Sequence, residues 1–192
     1  MISKDEALKL LRKYLKTENT VKHSLALEAI MRALAKRLAP GKEDEWAMAG
    51  LLHDLDYETV DQKTFKDHGL KTVEILKKEG VELTDSVLKA ILAHNFDNLG
   101  DEYKPQSLMD WSIFIADSLT GLIVAATLVR PDRKLETIEV KSLKKKFKDK
   151  AFARGTRREE IKLCQEKLGL SLDDFLKLSL SAMREISDEL GL

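Results

Sequence analysis

Residues 47–58 read AMAGLLHDLDYE, an apolar, small-residue helical run that ends in a histidine beside an aspartate, His53-Asp54. A carboxylate at the end of a core helix is costly unless its charge is compensated. Either the helix ends in water there, or a cation sits beside it. One turn earlier, the small pair Ala49-Gly50 lets a second helix or a ligand approach closely.

Helical signals extend outward from this run in both directions. Upstream, Ser3-Lys-Asp-Glu6 is a capping box that predicts a helix to about Leu15. A second spans Thr20 to Leu38, stopped by Pro40-Gly41, and the quoted run belongs to a third from Glu43 to Leu55. Downstream, helices are predicted from Asp67 or His68 to Glu79, closed by Gly80, and from Thr84 to His94. A long apolar one spans Gln106 to Val129 and halts before Pro131. Shorter ones cover Leu143 to Lys150, Thr156 to Leu168 behind a second capping box at Thr156 and Glu159, and Ser171 to Leu190. Leu135 to Val140 alternates like a strand, but it has no partner and reads as loop. The expected fold class is all-α, one compact helical domain over residues 1–192. Its ligand-rich core covers about 20–125, and a basic helical extension covers about 130–192.

Composition narrows the function classes. The 192 residues carry 33 Lys+Arg and 33 Asp+Glu, so no net charge points to nucleic acid or an anionic membrane. A hydrophobic share of 43% suffices for a sizeable core. One cysteine, Cys164, rules out an internal disulfide framework and fits a reducing compartment. No uninterrupted apolar run has a membrane span's length of about 18 residues, and the amphipathic first residues resemble neither a signal nor a transit peptide. The expected location is cytoplasmic.

The chain has four histidines: His23, His53, His68 and His94. At 100° per residue, His23 aligns with Leu27, Ile30 and Leu34 on the buried stripe of its helix. His53 aligns with Trp46, Ala49 and Gly50, and His94 with Val87 and Ile91. His68 precedes Gly69 at a helix start. Any one of them reads as a core histidine bound to a carbonyl. Together they occupy positions that solvated histidines avoid. Asp117 repeats the pattern inside IFIADSLTGLIVAA, apolar on both sides; it caps a neighbouring helix or meets a metal. Asp54 diverges from His53 by about 100°, yet both side chains reach an ion placed beside the helix end. Imidazoles with carboxylates and no thiolate suit one or two divalent ions of Mn, Fe, Co, Ni or Zn. Asp56 and Tyr57 either orient ligands or end the helix.

In this order, His23 in TVKHSLALEAI, His53-Asp54 in AGLLHDLDYE, His68 in DHGLKTVEIL, His94 in AILAHNFD and Asp117 in FIADSLTG resemble the HD superfamily of metal-dependent phosphohydrolases. The resemblance covers about residues 20–125, and LLHDLDYE is similar to a bacterial and archaeal branch described as predicted HD-superfamily hydrolases. It implies an HD-type helical bundle in which His23, His53, Asp54 and Asp117 hold a first metal. Asp54 bridges to a second, held also by His68 and His94, unless those two are outer partners. It also implies hydrolysis of a small phosphate ester, such as a nucleotide, by metal-activated water, with His53 and Asp54 central to catalysis. The glycine-tyrosine-proline signature of cyclic-di-GMP phosphodiesterases is absent. A di-iron oxygenase on the same ligands, or a non-catalytic metal- or nucleotide-binding module, is the alternative.

Residues 130–158 are basic: RPDRK, KSLKKKFKDK and ARGTRREE. Such a run is ordinarily a solvated face. As a phosphate-binding rim it offers Arg154 and Arg157 at a helix start, with Arg130 and Arg133 following the Asp117 helix. Sparse aromatics and interspersed acids argue against a nucleic-acid partner.

Overall fold

A computed structural model describes residues 2–192. The capping box at Ser3 and Glu6 opens α1 (Lys4–Tyr14), with the Ser3 amide donating to Glu6 Oε2 at 2.8 Å. Next come α2 (Glu18–Leu38) and α3 (Glu43–Leu52), separated by the Pro40-Gly41 turn. Then follow α4 (Leu70–Lys78), α5 (Asp85–Ala93), α6 (Phe96–Leu99) and the long α7 (Leu108–Leu128). The C-terminal part holds α8 (Val140–Lys148), α9 (Arg158–Lys162), α10 (Cys164–Leu168), α11 (Leu172–Arg184) and α12 (Ser187–Leu190). The architecture is all-α, and no strand occurs among the described residues.

Buried apolar side chains from Ala7 in α1 to Leu190 in α12 form one contiguous cluster. Two features of that core position the site. The backbones of α2 and α3 nearly touch at Gly50, where a Cβ would stand 2.8 Å from the Leu27 carbonyl oxygen. Side chains of α7 pack against α2 and α5, so one central helix faces both walls of the site. By length and hydropathy α7 could cross a membrane, yet 61% of its most apolar window is buried inside the chain.

Several expectations are corrected. The third helix ends at Leu52 rather than Leu55, because residues 53–59 run through tight turns such as Tyr57 N–H to Asp54 O at 2.9 Å. The expected start at Asp67 or His68 moves to Leu70, behind Gly69 at φ +89°. Thr156 caps nothing: the Arg157 amide donates instead to Ser118 Oγ at 2.8 Å, and the helix begins at Arg158. That helix breaks at Leu163, and the last one breaks after Arg184. Leu135–Thr137 form a short 3₁₀ turn, and the carbonyls of Leu135, Glu136 and Ile138 accept from the Arg184 guanidinium. The short α6 was not expected, and no periodicity marks so brief an element.

Candidate metal centre

Each candidate ligand sits where a helix begins, ends or packs tightly. His23 lies on α2 and Asp117 on α7. His53 caps the end of α3, and Asp54 opens the turn that follows. His94 caps the end of α5. His68 immediately precedes Gly69, whose missing Cβ admits the Ile91 carbonyl; a Cβ there would lie 3.3 Å from that oxygen and 3.6 Å from His94 Cε1. This glycine, with its positive φ, seats His68 against His94.

The six side chains converge. His23 Nε2 is 2.9 Å from Asp117 Oδ1, 3.2 Å from His53 Nε2 and 3.4 Å from Asp54 Oδ2. His53 Nε2 is 3.1 Å from Asp54 Oδ1 and 3.8 Å from Asp117 Oδ1. On the other side, Asp54 Oδ1 is 3.1 Å from His68 Nε2 and 3.8 Å from His94 Nε2, and those two nitrogens are 2.9 Å apart. Asp54 therefore belongs to two sets able to hold a metal ion, His23-His53-Asp54 and Asp54-His68-His94.

Every imidazole turns its other nitrogen outward to an acceptor. His53 Nδ1 donates to the Gly50 carbonyl at 2.8 Å, and His94 Nδ1 to that of Ile91. His68 Nδ1 donates to Asp56 Oδ1 at 2.7 Å. His23 Nδ1 meets Thr120 Oγ1 at 2.9 Å; that hydroxyl gives its own proton to the Asp117 carbonyl at 2.7 Å, so it accepts from the ring. A neutral imidazole with its proton on Nδ1 presents the Nε2 lone pair inward. Lone pairs facing each other at about 3 Å repel unless a cation or a proton stands between them. The donor set, imidazoles and carboxylates without sulfur, fits a divalent transition metal.

Asp56 is a residue whose role the sequence left open. Its side chain is fully buried, with Oδ2 accepting from the amides of Gly69 at 2.7 Å and Thr72 at 3.1 Å, while Oδ1 holds His68. It caps α4 and fixes a candidate ligand at once. Glu58, two residues on, caps the start of α2 through Lys16 N, Thr17 N and Thr20 Oγ1, each at 2.8 Å. Thr120, three residues after Asp117, was missed; only that one-turn spacing signals it.

The buried carboxylates and imidazoles shift one another's protonation. Burial works against a charged His53, but the Asp54 and Asp117 carboxylates prevail and push its pKa up to about 10. His68 likewise rises to about 9, despite burial, through Asp54 and Asp56. Burial, then the charges on His68 and His53, push His94 down to about 3. Asp54 and Asp117 stay well below the usual carboxylate range, because the imidazoles outweigh burial. Protons thus hold the place that a cation would take.

The centre opens into a cavity of about 660 Å³ that includes His23, Asp54, His68, His94 and Asp117 in its wall. Arg154 and Arg157 line it too. Arg157 donates to Asp117 Oδ2 at 2.7 Å and also pairs with Glu160 at 2.9 Å, whereas Arg154 has no polar partner among the described residues. Arg130 and Arg133 do not line the cavity, which corrects the expected rim: they follow the far end of α7, where Arg130 pairs with Asp132 at 3.2 Å. Asp117 stands near the middle of that 21-residue helix, and a rise of about 1.5 Å per residue carries the two arginines well away.

Residues 20–122 match the sequence model of the family described as HD domain. Neither the curated proteins nor the solved structures show a match.

Proposed function

Because this chain belongs to the HD domain family, we propose that its centre holds one or two divalent ions and hydrolyses a small phosphate ester, such as a nucleotide. The observation that supports this most strongly is the position of Asp54. One buried carboxylate lies within 3.1 Å of an imidazole nitrogen of each histidine pair, the placement a bridging ligand needs. His23, His53, Asp54 and Asp117 would hold one ion, and Asp54, His68 and His94 the other. Such ions, when bound, polarise a phosphoryl oxygen and make water acidic enough to attack phosphorus near neutral pH.

The chain's own residues do the rest. The Nδ1 contacts fix the orientation of all four rings and turn each Nε2 toward the centre. Arg154 offers a free guanidinium at the cavity wall, suited to phosphate oxygens. Arg157 shares its charge between Asp117 and the cavity. No side-chain nucleophile is required, and Cys164, the single thiol, is buried at the start of α10, outside the cavity wall.

The test is metal analysis of purified protein combined with turnover of aryl phosphate and a nucleotide panel in Mn, Co, Ni and Zn. His53→Ala and Asp54→Ala are expected to abolish metal-dependent turnover. Full activity in both variants, or bound iron with substrate-dependent oxygen uptake and no phosphate release, overturns the reading.

A further inference from the structure

The centre provides for the attacking water and the phosphoryl group, yet hydrolysis of an alkyl ester also needs a proton for the departing oxygen. Few groups in the cavity wall can give one. The imidazoles have Nδ1 bound outward and Nε2 turned to the centre. Arginine keeps its protons. Thr120 already donates to a carbonyl, and Thr20 to Thr17 O or Glu58. The remaining aliphatic hydroxyls are far weaker acids than a phenol, whose ordinary pKa is about 10. No lysine or cysteine lines the cavity among the described residues.

That leaves Tyr57. It lines the cavity, and its Oη has no hydrogen-bond partner among the described residues. Its ring is held from two sides, 5.8 Å from Phe65 and 5.8 Å from His68, centroid to centroid. Phe65 is itself fixed in a left-handed conformation at φ +49°, a cost that tertiary structure must offset. Tyr57 therefore borders the His68-His94 half of the centre, whereas Arg157 is bound to Asp117 in the other half. Arg157 and Tyr57 thus approach the centre from its two different halves.

Resting on the hydrolase reading above, we propose that Tyr57 is the general acid that protonates the leaving group. As water oxygen bonds to phosphorus, the bond from phosphorus to the ester oxygen breaks and its electron pair stays on that oxygen. The Tyr57 proton moves to it, and the alcohol departs. The attacking water sheds one proton to the water in the open cavity, which returns one to the phenolate, so the balance is one ester and one water to one alcohol and one phosphate.

The experiment compares Tyr57→Phe with wild type on two esters, para-nitrophenyl phosphate and an alkyl phosphate. The aryl leaving group is a stable anion, whereas the alkoxide is not. General acid catalysis contributes about 10²–10⁴-fold, so kcat on the alkyl ester is expected to fall by that factor, and on the aryl ester by at least tenfold less. Metal content and melting temperature of the variant are expected to match wild type. Equal losses on both esters, or none, overturn the role of Tyr57 and leave the hydrolase reading standing. A variant that loses metal or melts early makes Tyr57 a support for His68, and overturns the proposal too. A wild type inert on both esters and on the nucleotide panel overturns the hydrolase reading, and this proposal with it.

Discussion

Asp54 and Asp56 stand two residues apart, both buried, with separate tasks: one faces the metal centre, the other holds His68 from behind and closes the amides of α4. Asp56→Asn keeps the shape but loses a charged acceptor. Metal affinity is expected to fall about 10–100-fold, read by competition with a chromophoric chelator. Stability of the metal-free protein is expected to drop by about 1–3 kcal/mol, read by denaturant titration. The histidines set a pH dependence whose sign follows from raised values. In the metal-free protein, His53 at about 10 and His68 at about 9 lie above their unfolded values near 6.5. Their contribution to stability is full below about pH 6.5 and disappears as pH climbs through 9 to 10. Metal needs both neutral, so its binding releases roughly two protons at pH 7, and its affinity rises with pH across the same window. Calorimetry in buffers of different ionisation enthalpy counts those protons; zero release would contradict the proton-for-metal exchange.

Between α2 and α3 there is no room for a methyl group. Gly50→Ala would place a Cβ 2.8 Å from the Leu27 carbonyl, a backbone atom that yields only if the helices part. Overpacking of this kind costs about 1–3 kcal/mol. Since one helix carries His23 and the other ends in His53, metal affinity is expected to fall with the melting temperature. A melt that drops while metal titration stays unchanged would show that the centre tolerates the shift. Element existence was legible here because long periodic runs such as Glu18–Leu38 and Leu108–Leu128 announce themselves, and Ala49-Gly50 announced the close approach. Ends were less legible. Glu43–Leu52 stops early because Asp56 turns back to serve α4, a contact twelve residues or more away in the chain. Thr156 had the sequence of a cap, but Ser118 on α7 had already taken the Arg157 amide.

At the scale of the molecule, the candidate ligands come from α2, the turn after α3, the turn before α4, the end of α5, and α7. An ion bound there joins segments separated by up to 94 residues, from His23 to Asp117. Saturating metal at about a thousand times its Kd adds about 4 kcal/mol to stability, so a strong chelator is expected to lower the melting temperature by several degrees. An unchanged melt with full chelation would argue against a shared ion. The convergence was legible because histidines are few and each inward position could be read from its helix. Arg130 and Arg133 were misplaced because adjacency in sequence to the Asp117 helix means a distant end in space. Outer contacts such as Thr120 to His23 cross 97 residues, and no local pattern foretells them.

The loop carrying Arg154 is tied to the fold by its neighbour. Arg158 donates to the carbonyls of Phe147, Asp149, Phe152, Ala153 and Thr156, so one guanidinium gathers the loop through main-chain oxygens alone. Carbonyls are common to every amino acid. Side chains at 150, 151, 154 and 155 can therefore be exchanged freely while the anchorage persists, which makes this loop a ready place to graft new selectivity onto an unaltered scaffold.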